Sequence, residues 1–256
     1  WNASSGFTPT APRRDAGANR RPSSCRIGRG RNGHAIYWID FRNNCNAGFS
    51  CIQFIVISVN KVTMNIFQTR VELIKELVNQ NSVCAELGVL LGEFSESISN
   101  LSPQKLYLVD TWEAGEIISA DQNGNNFRQY KDGIQIFRHV KQKFCGLGNV
   151  EIIRSSSIDF LSMCPLDHLD FVYIDTYQDF NLTSSELSLS RLAVKPGGYI
   201  CGHDFDFNSP LCDNFQENKK LESGVSDAVN AFCESNGLTI DYFGLDGCIS
   251  YAIRNK

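Results

Sequence analysis

The sequence predicts an α/β fold, a three-layer sandwich with a mostly parallel, seven-stranded sheet that ends in an antiparallel hairpin. From Met64 onward, segments with helical periodicity alternate with short apolar runs, and this alternation is typical of parallel strands joined by helices. The last two apolar runs are joined by a short turn around Gly244 to Gly247, which predicts a hairpin. With 256 residues, 42% of them hydrophobic, the chain is long enough for one large domain core.

The helices are predicted from apolar residues spaced three or four apart, and the strands from short apolar runs. The helical segments are marked by Phe67, Val71, Ile74 and Leu77; Phe94, Ile98 and Leu101; Phe127, Tyr130, Ile134, Phe137, Val140 and Phe144; Ile158 to Met163; LTSSELSLSRLAV, which Pro196-Gly197-Gly198 stops; and Val225, Ala228, Val229, Phe232 and Cys233. The strands are VCAEL (83–87), KLYLVD (105–110), VEIIR (150–154), LDFVYID (169–175) and GYICGH (198–203), followed by the hairpin of LTIDYFG and CISYAIRNK. Ligands bind beyond the carboxyl ends of the strands in such sheets, so we expect the site among the residues that follow each strand.

Charge divides the chain into two compositions near residue 63. Residues 1–63 carry nine Arg and Lys against two Asp, a net charge of +7, whereas residues 64–256 carry 15 basic and 26 acidic residues, a net charge of −11. The first segment is rich in Arg, Asn, Ser and Gly and lacks apolar periodicity over its first 33 residues. We therefore expect residues 1–63 to be a basic, disordered or non-native segment and residues 64–256 to form the domain.

Met64 is the first methionine of the chain, which suggests that the native product starts there. Residues 1–63 would then be an upstream translated artefact or a fragment of another sequence. The alternative is a functional basic arm that binds nucleic acid or serves as a transit peptide.

The ten cysteines form no Cys-x-x-Cys pair, and several, such as Cys84 and Cys201, lie within apolar runs. This pattern favours reduced thiols in a cytoplasmic protein over a disulfide framework or a zinc site. No run approaches the roughly 18 apolar residues that a membrane span needs.

A glycine turn with acidic residues on both sides follows the first strand, in the order Glu86, Gly88, Gly92, Glu93. A dinucleotide-binding turn has Gly-x-Gly-x-x-Gly instead, and a carboxylate beside a pyrophosphate is unfavourable by on the order of 1 kcal/mol near a surface. The acids favour a cationic ligand without phosphate, and S-adenosylmethionine, with its sulfonium and ammonium groups, has that chemistry. Asp110 ends the second strand, where an acid can bind the ribose hydroxyls of the same ligand. The structural alternative is that the glycines only allow close packing and that Asp110 caps a turn.

Five motifs occur in register, namely ELGVLLGEFS, LYLVDTW, LDFVYID, VKPGGYICGHDF and GVSDAVNAF. Together they resemble the class I S-adenosylmethionine-dependent methyltransferases, in particular the small-molecule O-methyltransferase-like group, over residues 64–256. The resemblance implies a Rossmann-like sheet in which Glu86, Gly88 and Gly92 form the cofactor turn and Asp110 binds the ribose. It also implies that Ser156 lies near the adenine. Trp112 would pack on the cofactor, shape the substrate mouth or belong to the core.

Methyl transfer to a hydroxyl needs a group that removes the acceptor's proton, or a metal ion that polarises it. Asp175 follows the fourth strand and His203 and Asp204 follow the fifth, so all three are expected to face one crevice. Three interpretations are open: His203 or Asp175 is a general base, Asp175 and Asp204, with or without His203, bind Mg²⁺, or His203 and Asp204 make only structural hydrogen bonds.

One segment departs from the pattern of this group. A Gly-Asp-His-Ser-Tyr type run usually follows the fourth-strand Asp, whereas this chain has Thr176-Tyr177-Gln178-Asp179-Phe180, without the His. A role that depended on that His is therefore in question, and so to a lesser degree is activity itself.

The sequence thus predicts a cytoplasmic S-adenosylmethionine-dependent methyltransferase that methylates a hydroxyl of a small-molecule or sugar-like acceptor. Residues 113–126 and 205–220 are expected to build the acceptor pocket. A nicotinamide-dependent (NAD) oxidoreductase and a non-catalytic cofactor-binding domain are the alternatives. Nucleic acid is disfavoured, because the fourth strand ends in IDTY and the domain's net charge of −11 repels phosphates. A monomer and a homo-oligomer are both compatible with the sequence.

Overall fold

The computed structural model describes residues 25–29, 35–40, 52–55, 65–115, 117–119, 128–205, 224–246 and 248–256. The chain divides into two compact units, 1–62 and 63–256. In the first unit, strands β1 (Cys25–Arg29), β2 (Ala35–Asp40) and β3 (Ile52–Ile55) form an antiparallel sheet in that order. Whether residues 1–63 are native stays a prediction.

The second unit alternates strands and helices. Its strands are β4 (Asn65–Phe67), β5 (Val83–Leu87), β6 (Lys105–Asp110), β7 (Ile117–Ser119), β8 (Arg128–Tyr130), β9 (Val150–Arg154), β10 (Leu169–Ile174), β11 (Val194–Gly202), β12 (Ile240–Gly244) and β13 (Ser250–Arg254). Its helices are α1 (Arg70–Leu77), α2 (Glu93–Ser99), α3 (Gly133–Lys143), α4 (Ser157–Met163), α5 (Phe180–Ala193) and α6 (Val225–Asn236).

Eight of these strands form one sheet in the order β4-β12-β13-β11-β10-β5-β6-β9, and β7 pairs with β8 separately. All neighbours in the large sheet are parallel except at β13, which runs antiparallel to both β11 and β12. The strand order reverses between β5 and β10, which places a crevice at the carboxyl ends of these two strands.

Helices cover the sheet as two further layers. Buried residues of α1, α2 and α3 share one core cluster with the sheet, including Ile74, Ile98 and Val140. Helix α5 packs against α4 and α6 and against β11. The predicted three-layer sandwich with a terminal hairpin is confirmed.

Three local predictions are wrong. Phe67, assigned to the first helix, lies in β4, which adds an eighth strand beside β12. Tyr130, assigned to the long helix, lies in β8, because α3 begins only after Asp132 caps it by accepting a hydrogen bond from Gln135 N. The Pro196-Gly197-Gly198 segment lies inside β11 instead of ending the helix, which stops at Ala193. In each case the apolar spacing continues past the true boundary, which is set by a cap or by strand pairing.

The cysteines follow the prediction only in part. Cys84, Cys145, Cys164, Cys201 and Cys233 are free thiols. Cys248 is disulfide-bonded and departs from the expected reduced thiols. None of the helices in the described ranges is long and apolar enough to cross a membrane.

Candidate functional site

A cavity of about 720 Å³ lies at the carboxyl ends of β5, β6, β9 and β10, at the reversal of strand order. Five of the predicted site residues line it: Glu86, Gly88, Asp110, Ser156 and Asp175. Gly92, His203 and Asp204 are outside its lining. The strand-end argument therefore brings together most, but not all, of the predicted residues.

Gly88 makes the turn after β5 possible. Its φ is +89°, and a Cβ atom there would stand 2.0 Å from the backbone oxygen of Asp175. Its N–H donates to the carbonyl of Val109 at 2.9 Å, which joins the turn to the end of β6. Only glycine allows the turn to lie this close to the residue that follows β10.

Gly92 lies at the other end of this turn, where α2 begins. It precedes α2 with a φ of +69°, and a Cβ there would come within 2.8 Å of the Phe144 ring. Gly92 therefore serves helix entry and core packing, and its part in a cofactor turn stays a prediction.

Asp110 is held by the turn that it faces. Its Oδ2 accepts hydrogen bonds from the backbone N–H groups of Val89 and Leu90, both at 2.9 Å, and its Oδ1 accepts one from Trp112 at 2.7 Å. A carboxylate has about four acceptor positions, so one on Oδ1 is left over for a ligand. Trp112 is buried, and its indole N–H donates to Leu90 O at 3.0 Å. This hydrogen bond ties the turn to the core.

Glu86 is the most unusual group of the cavity. Its side chain is 1% exposed, and burial raises its pKa from 4.5 to about 8. The side chain of Ser95 lowers the pKa of Glu86 in part. Within the described chain, however, neither Ser95 Oγ nor Glu86 Oε2 has a hydrogen-bonding partner. The turn thus presents a buried carboxyl oxygen that is ready to accept a hydrogen bond.

Ser156 lines the cavity but is already engaged. As the N-cap of α4 its Oγ accepts from Asp159 N at 3.0 Å and donates to Asp159 Oδ2 at 2.7 Å. A contact from this residue to an adenine would therefore involve its backbone more readily than its hydroxyl.

The predicted acid–base residues form a compact cluster. Nδ1 of His203 lies 3.1 Å from Asp204 Oδ1 and 3.8 Å from Asp175 Oδ1. Asp175 is the member on the main cavity, and all three line a second, small cavity that adjoins it. Burial raises the pKa of Asp175, while the charge of His203 lowers it in part. One ligand atom from each of the three residues lies within 4.8 Å of the others, a spacing that could hold a metal ion.

Two residues, one in the cavity wall and one behind it, had no signal in the sequence. Arg70, the first residue of α1, lines the cavity with Nη1 3.4 Å from Asp175 Oδ2. Glu186, buried on α5, accepts hydrogen bonds from Ser157 Oγ at 2.5 Å and from Thr176 Oγ1 at 2.8 Å. Burial raises the pKa of Glu186 to about 7, although both hydroxyls lower it.

Thr176 and Gln178, in the segment that departs from the expected pattern, both line the cavity, and Gln178 Nε2 donates to Asp204 Oδ2 at 2.6 Å. Tyr177 is 77% exposed beside them. The segments expected to build the acceptor pocket, 113–126 and 205–220, lie largely outside the described residues.

No family model matches the sequence, and no similar sequence is found among curated proteins. Solved structures do resemble it. A SAM-dependent methyltransferase of Aquifex aeolicus is 16% identical, with a TM-score of 0.50, over 74% of this chain and 91% of its own.

Two further structures are similar. A protein of Streptococcus mutans in complex with SAH is 12% identical, with a TM-score of 0.49, over 73% of this chain and 96% of its own. The ribosomal protein L11 methylase of Lactobacillus delbrueckii is 10% identical, with a TM-score of 0.48, over 73% of this chain and 76% of its own. By its strand order and by its likeness to the Aquifex enzyme, the chain has the class I fold of S-adenosylmethionine-dependent methyltransferases.

Proposed function

We propose that the chain is an S-adenosylmethionine-dependent methyltransferase that methylates a hydroxyl group of a small-molecule or sugar-like acceptor. The observation that carries the proposal is the buried, unpartnered Oε2 of Glu86 in the wall of the cavity. A carboxyl oxygen in this position is unfavourable until a donor or cation reaches it. The glycine turn therefore suits an ammonium group and disfavours a pyrophosphate.

The remaining residues of the cavity fit the same ligand. A volume of about 720 Å³ is in the range of small-molecule sites. Glu86 would accept from the ammonium group, and the remaining acceptor position on Asp110 would receive a ribose hydroxyl. Gly88, which has no side chain, lets the turn lie directly against the backbone of Asp175.

When bound, S-adenosylmethionine supplies a methyl group on a positively charged sulfur. The chain's own contribution is to hold the acceptor hydroxyl in line with that methyl and to take up its proton. Asp175 is placed to accept the proton, because it lines the cavity and burial raises its pKa toward the working range of a general base. His203, with Nδ1 3.8 Å from Asp175 Oδ1 and 3.1 Å from Asp204 Oδ1, is the alternative candidate for this base.

Binding of Mg²⁺ by Asp175, His203 and Asp204 is a second candidate, supported by their mutual approach within 4.8 Å. The ion would polarise the acceptor hydroxyl. Arg70 and Gln178 already contact the carboxylates of Asp175 and Asp204, which favours the general base over the ion. Titration with Mg²⁺ in the presence of SAH decides between them: saturable heat that D204N abolishes supports the metal, and no heat supports the base.

Calorimetric titration with SAH and with NAD tests the cofactor. We expect heat with SAH only, and with Glu86→Gln a weaker affinity while the fold is kept. Glu76→Gln, an exposed residue on α1, is the matched control. Heat with NAD only would favour the oxidoreductase, and no heat with either ligand would contradict both functions.

Turnover separates an enzyme from a non-catalytic cofactor-binding domain. With a panel of small hydroxylated acceptors and SAH release as the readout, Asp175→Asn and His203→Ala should each lower the rate, by about 10²-fold or more where the residue is the base. Unchanged turnover in both variants would remove this catalytic assignment. The net charge of −11 on residues 64–256 supports a small-molecule acceptor. A cytoplasmic location is also part of the proposal, because five cysteines are free thiols, against the disulfide at Cys248.

A further inference from the structure

The small cavity beside Asp175 is lined by residues from several elements of the fold. Its wall contains Asp175 and Thr176, which follow β10, His203 and Asp204, which follow β11, and Tyr251 of β13. The cavity leaves about 10 Å³ for the centre of a water molecule, which is roughly room for one. Its lining is also polar enough, since a buried water needs about two to four polar partners.

Tyr251 brings a buried hydroxyl to this cavity. The residue is 1% exposed, and within the described chain its hydroxyl has no hydrogen-bonding partner. A Cβ atom on Gly202 would lie 2.5 Å from Tyr251 Oη, so this glycine lets the hydroxyl cross β11 one residue before His203. Burial, and then the charge of Glu186, raise the pKa of Tyr251 well above its ordinary value, so the hydroxyl keeps its proton. A buried donor of this kind is unfavourable until an acceptor reaches it.

Two other groups in the wall of the small cavity are acceptors. Thr176 Oγ1 donates to both carboxyl oxygens of Glu186, at 2.8 and 2.9 Å. Because a hydroxyl has one proton, Thr176 can only accept from a further partner. The carboxylate of Asp175 makes loose contacts, with Arg70 at 3.4 Å and with His203 at 3.8 Å, against about 2.7 to 2.9 Å for a charge-assisted hydrogen bond. It therefore has acceptor positions to spare.

One donor and two acceptors are the complement of a water molecule, which can accept a hydrogen bond and donate two. We propose that the small cavity binds one ordered water molecule, which accepts from Tyr251 and donates to Thr176 and Asp175. Through this water Tyr251 is a positioning residue for Asp175, because it fixes the carboxylate from the small cavity while the base meets the acceptor hydroxyl in the main one. The water site stands on the lining of the cavity, whereas the positioning role rests on the proposed function.

A high-resolution crystal structure of the full chain tests the water site directly. We expect an ordered water within about 3.2 Å of Tyr251 Oη, of Thr176 Oγ1 and of one carboxylate oxygen of Asp175. Electron density without a water in this cavity, or with a water that Tyr251 does not contact, would overturn the inference.

Tyr251→Phe removes the hydroxyl alone, and its stability separates a hydrogen-bonded hydroxyl from an unpartnered one. Loss of a hydroxyl that a water partners should lower the urea midpoint of unfolding. Loss of an unpartnered buried hydroxyl would leave the midpoint equal or raise it, and that result would overturn the inference. Tyr107→Phe is the matched control, because the Tyr107 hydroxyl is hydrogen-bonded to His168 Nε2 at 3.2 Å and Tyr107 is in the lining of neither cavity.

Turnover tests the positioning role. With the best acceptor of the panel, Tyr251→Phe should lower kcat about fivefold or more, while the acceptor KM and the affinity for SAH stay within about twofold. Tyr107→Phe should lower the urea midpoint and leave kcat unchanged.

Each other result has one meaning. Unchanged kcat in Tyr251→Phe, or an equal loss of SAH affinity, would overturn the positioning role, because Tyr251 would then support only the fold or the cavity as a whole. If the unmodified chain methylated no acceptor, the proposed function would fail and the positioning role with it. The crystal structure and the urea midpoint would still decide the water site.

Discussion

Glu86→Gln should change how the stability of the ligand-free protein depends on pH. The Glu86 carboxyl has a pKa of about 8 in the folded chain against 4.5 as its ordinary value, because the fold buries it. Between these pH values the folded state holds a proton that the unfolded state has released. The free energy of unfolding therefore falls as pH rises through this window, by about 1.4 kcal/mol per pH unit.

The magnitude follows from that slope. Between pH 5.5 and 7.5 the unmodified protein should lose roughly 2 to 3 kcal/mol more stability than Glu86→Gln, which cannot ionise at this position. For a domain of this size the loss corresponds to a fall in Tm of about 5 to 10 °C. Glu186, whose pKa is also raised, titrates in both proteins and cancels in the difference. The charge of Asp175 helps to raise the pKa of Glu86, so it is part of the effect of the substitution.

Thermal or urea unfolding, followed by circular dichroism at a series of pH values, measures this difference. Glu76→Gln is the control, and its stability should follow that of the unmodified protein at every pH. Parallel pH profiles for the unmodified protein and Glu86→Gln would refute the reasoning, because they would mean that Glu86 is not desolvated in the fold.

Three further substitutions test the geometry of the turn and of the wall beside it. Gly88→Ala should cost at least about 2 kcal/mol of stability and abolish SAH binding, since the Cβ would lie 2.0 Å from Asp175 O at a φ of +89°. Near-normal unfolding of this variant in urea would contradict the prediction. Thr176→Val should cost about 1 to 3 kcal/mol of stability and raise the pKa of Glu186 above about 7, because the substitution removes a hydroxyl donor 2.8 Å from Glu186 Oε1. An unchanged pH profile of unfolding would argue against that hydrogen bond. Asp110→Asn should cost roughly 1.5 to 3 kcal/mol of stability, since the carboxylate accepts three backbone hydrogen bonds. Equal urea midpoints for this variant and the unmodified protein would mean that these hydrogen bonds do not stabilise the turn.

The parts of the site that could be predicted from sequence are those that strand order fixes. Glu86, Gly88, Asp110 and Asp175 each follow or end a strand, and the carboxyl ends of β5, β6 and β10 meet at one crevice. Their proximity needs no knowledge of side-chain packing, because parallel neighbours bring their ends together.

The parts that could not be predicted depend on contacts between distant elements. Arg70 begins an ordinary amphipathic helix and reaches Asp175, 105 residues later, only through the packing of α1 on the sheet. Glu186 occupies a helix position that any solvent-facing acid could hold, and its burial depends on how α5 packs. Ser156 lines the cavity, but its use as a helix cap depends on where α4 begins.

The raised pKa of Glu86 also makes ligand binding release protons. At pH 7 a carboxyl with a pKa of about 8 is about nine-tenths protonated, yet an ammonium group is bound best by the ionised form. Binding of SAH should therefore expel close to one proton, and its affinity should rise as the pH increases from 7 toward 8. Calorimetry in buffers of different ionisation enthalpy measures that proton directly. Its absence in the unmodified protein would mean that no cation reaches Glu86, whereas its loss in Glu86→Gln alone would assign it to this carboxyl.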